Sequence, residues 1–174
     1  MNVGTKSLLF GVHQIFWHPV TVALAWRRLY GCWPNWRESV AIFFHDWGYF
    51  GKPNMDGKEG EDHPWGGAEI AYKVTHDKNI FFLTLLHSRF MAAQLSASPS
   101  KLCWADKLSI WFEPRWWYLL RARLSGEVKE YRLNAVKHVP LFAPDRVWFD
   151  WYRERVIDQI KTKRPATVGH HKDE

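Results

Sequence analysis

Six side chains suited to metal chemistry occur in an ordered series along the chain: His18, the doublet His45-Asp46, His63, His87 and Asp106. Neutral imidazole and carboxylate are suitable ligands for Fe, Mn, Zn or related divalent ions. An ion so held lowers the pKa of a bound water and neutralises a phosphoryl oxygen, and two ions together stabilise both the attacking and the leaving oxygen of a displacement. Phosphoester hydrolysis is the natural chemistry of such a set. Taken singly, each histidine has a plainer role, because imidazoles cap helices, bond within cores and sit at surfaces more often than they bind metal. It is the ordered set that favours function.

The local contexts are Phe44-His45-Asp46-Trp47-Gly48, His63-Pro64-Trp65-Gly66-Gly67-Ala68 and Ala105-Asp106-Lys107. Over roughly His18 to Ser109 the chain resembles the HD superfamily of metal-dependent phosphohydrolases. That family's pattern is a first His, a His-Asp doublet and a later Asp, with two further His residues in members that hold two metals. The resemblance implies an all-α fold, a compact helical bundle with a metal site between helices. It implies that His18, His45, Asp46 and Asp106 form the basic site, and that His63 and His87 complete a second with Asp46 bridging. One or two divalent transition ions are implied, with Fe, Mn and Zn all open. Pro19 disfavours a helical backbone at His18, so His13 stands as the alternative first ligand.

The elements that must position these residues are helical. The apolar period is that of a series of helices separated by Gly, Pro and Asn, without the sustained alternation of half-buried strands. Pro19 is read as starting a helix that Gly31 ends, with His18 at its entrance. Asn35 and Glu38 have capping-box spacing ahead of a helix running through His45 and ending at Gly48 and Gly51. A polar loop from Lys52 to Asp62 leads to a helix over about Pro64 to Val74, with His63 at its start. Asn79 is read as capping an apolar helix that carries His87, and Ser98-Pro99 as separating it from the helix that carries Asp106. Pro114 and Pro144 open two further helices. Residues 1–163 are read as a single domain, with the motif region at about 13–112 and a helical C-terminal extension; 164–174 are read as a flexible tail.

Composition narrows the classes. The 174 residues, 47% hydrophobic and 24% charged, suit one domain with a substantial core and exclude a disordered polymer. A net charge of +6 favours anionic ligands without choosing among nucleotides, nucleic acid and lipid headgroups. The cations are dispersed except at Lys161-Thr162-Lys163-Arg164, so no stable nucleic-acid partner is expected. Cys32 and Cys103 lie far apart without a CxxC pair, which points away from a disulfide framework or a thiolate zinc site. No transmembrane segment and no signal peptide are read, and a cytoplasmic location is the expectation. Self-association into a homo-oligomer is left open.

Besides Asp46, the groups assigned to catalysis are Lys107, directly after Asp106, and Arg89, two residues beyond His87. Each is placed to meet a phosphate, with a surface salt bridge as the equal alternative. Lys52 is a lesser candidate, and Arg115, Arg121 and Arg123 are provisional lining for an anionic entrance. Asp56, Glu59, Glu61 and Asp62 are read as a solvated acidic loop rather than as ligands. Most of the 12 Trp residues are assigned to packing. His170-His171 are set aside as a poor organised site. The function expected is a phosphohydrolase acting on a nucleotide or other small phosphorylated compound. The alternatives are a di-iron oxygenase of the same superfamily and a nonenzymatic, metal-stabilised binding protein.

Overall fold

At Asn35, Asp77, Ser88 and Ser100 a helix starts where a short polar side chain meets backbone N–H groups that have no partner within the helix. The computed structural model describes residues 1–164. Among them are ten α-helices and no strand: α1 (Val3–Phe10), α2 (Trp17–Tyr30), α3 (Trp36–Phe44), α4 (His63–Thr75), α5 (Lys78–Leu85), α6 (Arg89–Gln94), α7 (Lys101–Leu108), α8 (Arg115–Ser125), α9 (Glu127–Asn134) and α10 (Asp145–Lys163). The all-α expectation holds. The tail and His170-His171 lie outside the described residues, apart from Arg164, the C-cap of α10.

Several boundaries follow the sequence and several depart from it. The Asn35–Glu38 capping box forms in both directions: the Asn35 side chain accepts from Glu38 N at 3.0 Å, and Asn35 N donates to Glu38 Oε2 at 2.8 Å. α2 starts at Trp17, before Pro19, because the Gln14 side chain accepts from the backbone N–H groups of Phe16 and Trp17. Pro19 then falls in the first turn, where a missing N–H breaks no helical bond, and His18 is held helical. Gly31, with φ of 75°, caps the other end. α5 is capped by Asp77 rather than Asn79, the Asp77 carboxylate accepting from Asn79 N. α7 is started by Ser100, beyond the expected Ser98-Pro99.

Two further departures concern the site. α3 ends at Phe44, so His45 is its C-cap and not an interior residue; the chain then turns through a 3-10 segment, Trp47–Tyr49. Gly48 is needed in that turn because a Cβ there would lie 1.9 Å from the His63 carbonyl oxygen. α5 ends at Leu85, so His87 sits in the turn between α5 and α6 rather than on an apolar helix. Ser88 accepts from Met91 N and begins α6.

Two large cores hold most of the helices, and two smaller clusters, around Leu8 and Met55 and around Leu85 and Met91, pack α1 and α6. One large core packs α2, α3, α4, α5 and α7 around Val22, Trp26, Ile42, Ala71, Leu102 and Ala105. The other packs α8, α9 and α10 around Tyr118, Leu119, Trp148, Phe149 and Val156. α1 joins the halves by packing on α8 and on the 3-10 turn. Residues of both halves line a cavity of about 390 Å³. No described helix is long and apolar enough to cross a membrane.

Candidate metal centre

α2 contributes His18, the end of α3 contributes His45 and Asp46, the start of α4 contributes His63, the α5–α6 turn contributes His87, and α7 contributes Asp106. These six positions, remote in sequence, converge as two groups able to hold a metal ion, one of His18, His45, Asp46 and Asp106 and one of Asp46, His63 and His87. Asp46 belongs to both. Its Oδ2 lies 3.0 Å from His45 Nε2 and 3.3 Å from His18 Nε2, whereas its Oδ1 lies 3.6 Å from both His63 Nε2 and His87 Nε2. His18 Nε2 also lies 3.1 Å from Asp106 Oδ1.

Three rings are oriented in the same way. Nδ1 of His45, His63 and His87 lies 2.6, 2.7 and 2.6 Å from the carbonyl oxygen three residues earlier, on Ile42, Gly60 and Thr84. A carbonyl can only accept, so Nδ1 carries a proton in each ring and Nε2 points inward, where its lone pair is available to a cation that displaces any proton held there. This is the arrangement that fixes the tautomer and angle of metal-binding histidines. His63 Nε2 and His87 Nε2 face one another at 3.0 Å. Two lone pairs at that separation repel unless a proton or a cation lies between them. His45 Nε2 and Asp46 Oδ2 are both buried without a hydrogen bond of acceptable geometry. Inward lone pairs, a shared carboxylate and these orphaned atoms together fit a divalent cation.

The electrostatics agree with that fit. Burial and the neighbouring His87 hold the His63 pKa well below its ordinary value, so its Nε2 is free to donate a lone pair. Burial would lower His45 as well, but the charges of Asp46 and of Asp106, 3.7 Å away, outweigh it and raise the pKa to about 10, so without an ion its Nε2 holds a proton that a bound cation would displace. Burial would raise Asp46 and Asp106. The former is instead held well below the usual carboxylate range by His45 and His13, and the latter by His18 and His45. Both are carboxylates at neutral pH, concentrating negative charge where protons or cations must balance it.

His13 does not take the place of His18. Its Nδ1 lies 3.0 Å from Glu127 Oε1, and Glu127, fully buried, also accepts from Ser7 Oγ, Val12 N, Tyr131 OH and Ser125 Oγ. His13 packs edge-on to His18 and lines the cavity. No local sequence pattern reports this network, which unites residues over a hundred positions apart. Nor does the sequence single out Tyr49, whose ring stacks on His63 at 3.8 Å between centroids. The Phe-Phe-His-Asp-Trp-Gly-Tyr run was the one signal pointing to it.

Of the other candidates, Lys107, Arg89, Asp56 and Glu61 line the cavity. Asp56 and Glu61 fall in neither ligand group. Arg89 is exposed and donates to Gln159 Oε1 at 2.9 Å. Lys52 does not line the cavity, and its carbonyl accepts from Gly4 N. The three provisional arginines are elsewhere engaged: Arg115 pairs with Asp150, Arg123 with Asp145, and buried Arg121 with Glu113 and the carbonyls of Gly11 and Val12. The far wall comes from the C-terminal helices, where Trp148 stacks nearly parallel on Tyr152 and Tyr131, with Arg155 beside them on the cavity. Cys103 is buried, as expected of a packing neighbour, and burial pushes its thiol up to about 11.

No protein-family model, curated protein or solved structure matches this chain.

Proposed function

We propose that the chain is a metal-dependent phosphohydrolase of the HD superfamily, with a two-ion centre, acting on a nucleotide or another small phosphorylated compound. The observation that carries this reading is Asp46, which turns one carboxylate oxygen toward His18 and His45 and the other toward His63 and His87. That is the disposition of a bridging ligand, and the order of ligand residues is the family's own. His18, His45, Asp46 and Asp106 would hold one ion; Asp46, His63 and His87 would hold the other.

A divalent transition ion held there supplies charge against a phosphoryl oxygen and acidity to a neighbouring water. The protein's own groups do the rest. Lys107 has no carboxylate within 4 Å among the described residues, and together with Arg89 it offers positive charge to the remaining phosphoryl oxygens. The stacked rings of Trp148 and Tyr152 give a planar substituent a flat wall. A cavity of about 390 Å³ suits a small molecule and favours a low-molecular-weight phosphoester over a polymer.

The test is phosphate release from a panel of nucleotides and phosphoesters by tag-free protein as purified, after chelation and after reloading with Mn or Fe. Turnover should vanish on chelation and return on reloading. Asp46→Ala should remain folded and lose roughly a thousandfold in turnover. Bound iron with dioxygen consumption and no phosphate release would assign the oxygenase reading instead. Absence of both activities in metal-loaded protein would leave the binding-protein reading.

A further inference from the structure

The first acidic residue of the chain is Glu38; the 37 residues before it contain Lys6, Arg27, Arg28 and Arg37 and no carboxylate side chain. This segment builds α2 and the turn to α3, where a shallow groove is lined by Phe16, Val20, Pro34, Ile42 and Phe43, with Ser39 its one polar lining residue. Its rim is open to solvent: Phe16 is 68% exposed, and the adjoining Trp33 and Trp36 are 52% and 60% exposed. The Arg27 guanidinium lies over the Trp33 ring at 4.7 Å and that of Arg37 over Trp36 at 5.1 Å. The acidic groups nearby are committed. Glu38 closes the α3 capping box, and Asp77 lies 3.7 Å from Arg37. Among the described residues Arg27 and Arg28 have no carboxylate within 4 Å.

We propose that this α2–α3 face is a peripheral docking surface for a lipid bilayer carrying anionic headgroups. Indole and phenyl rings settle at headgroup depth, where one part of the ring meets hydrocarbon and another meets water, and guanidinium groups pair with lipid phosphates. The face supplies both chemistries side by side. A second copy of the chain is disfavoured as occupant because a symmetric contact sets arginines against arginines. A nucleic acid is disfavoured because the groove offers its bases almost no hydrogen-bonding groups. α2 carries His18 toward the cavity and Val20 toward the groove, so docking sets the metal centre about one helix diameter, roughly 10 Å, from the lipid surface.

The test is co-sedimentation of the full chain with vesicles of phosphatidylcholine alone and of phosphatidylcholine and phosphatidylglycerol in equal parts. Binding should require phosphatidylglycerol and weaken with added salt. Arg27→Glu and Arg28→Glu should each weaken it about fivefold or more, and Phe16→Ser combined with Trp36→Ser by about tenfold or more. All are surface changes, so metal content should stay at the wild-type value, and thermal melts should fall by no more than the few degrees that a reversed charge in the last turn of α2 costs. Trp116→Ser, at an exposed position on α8, should leave binding intact. The proposal is overturned by failure to bind either vesicle, by equal binding to both, or by equal loss in Trp116→Ser. It is also overturned by a concentration-dependent dimer that Phe16→Ser abolishes, or by capture of a single-stranded oligonucleotide in preference to vesicles.

Discussion

The cavity has two walls that are held by interactions of different range. On the ligand wall, His45, His63 and His87 are each fixed by a carbonyl three residues earlier, so the direction of every Nε2 is set within its own turn. The opposite wall, built by α8, α9 and α10, is held by core packing around Phe149 and by Glu127, whose partners include Ser7 and Val12 over a hundred residues away. Local anchoring keeps the ligands oriented even when distant packing loosens. Long-range anchoring makes the opposite side of the cavity depend on the integrity of the whole fold.

The largest effect expected from breaking this contrast is on stability. Phe149 is fully buried in the C-terminal core, and Phe149→Ala should cost about 3–5 kcal/mol of unfolding free energy. Metal bound per folded chain should be unchanged; loss of metal in step with stability would show that the walls are not separable. Denaturant titration with elemental analysis at each point reads both quantities.

Glu127→Gln sharpens the comparison through pH, at a cost of about 1–3 kcal/mol for a buried charge-assisted network. The carboxylates of Asp46 and Glu127 overcome burial and raise His13 from 6.5 to about 9, while Glu127, despite burial, is lowered from 4.5 by His13 and its hydrogen bonds. A raised histidine stabilises the fold fully below its ordinary pKa, and a lowered carboxylate does so above its own. The stability difference between wild type and Glu127→Gln should therefore be greatest between pH 4.5 and 6.5. It should shrink as pH rises through about 9 and as pH falls below 4.5. A flat difference across melts from pH 4 to about 10 would remove the charged pair from the account.

Smaller changes separate contact from scaffold. Lys107→Met should raise KM about tenfold for a phosphorylated substrate, with little change in metal content; a fall in kcat alone would place the ammonium away from the bound phosphate. Asn35→Ala removes one half of the α3 capping box and should cost about 1 kcal/mol, read as a lowered midpoint in urea, with kcat unaffected.

The contrast between walls also explains what could be read from the chain. The Asn35–Glu38 box, His63 at the start of α4 and Asp106 on α7 depend on spacings of a few residues, and each was legible. His87 was placed on a helix because Leu83, Leu86 and Phe90 keep an apolar period; the turn arises because α5 stops at Leu85 and Ser88 starts a new helix. Arg121 was provisional lining for an anionic entrance, yet it is buried against Glu113 and two carbonyls of the α1–α2 connection. The His13–Glu127 bond and the Trp148–Tyr152 wall were invisible for the same reason, since no local pattern reports which distant element a side chain will meet.

The central claim is that Asp46 serves two ion sites at once, and counting ions per chain tests it most directly. Native mass spectrometry of metal-replete, tag-free protein should find two ions in the wild type, one in His63→Ala and none retained in Asp46→Ala, with all three proteins folded. A folded Asp46→Ala variant that keeps both ions, or a wild type that binds none, would contradict it.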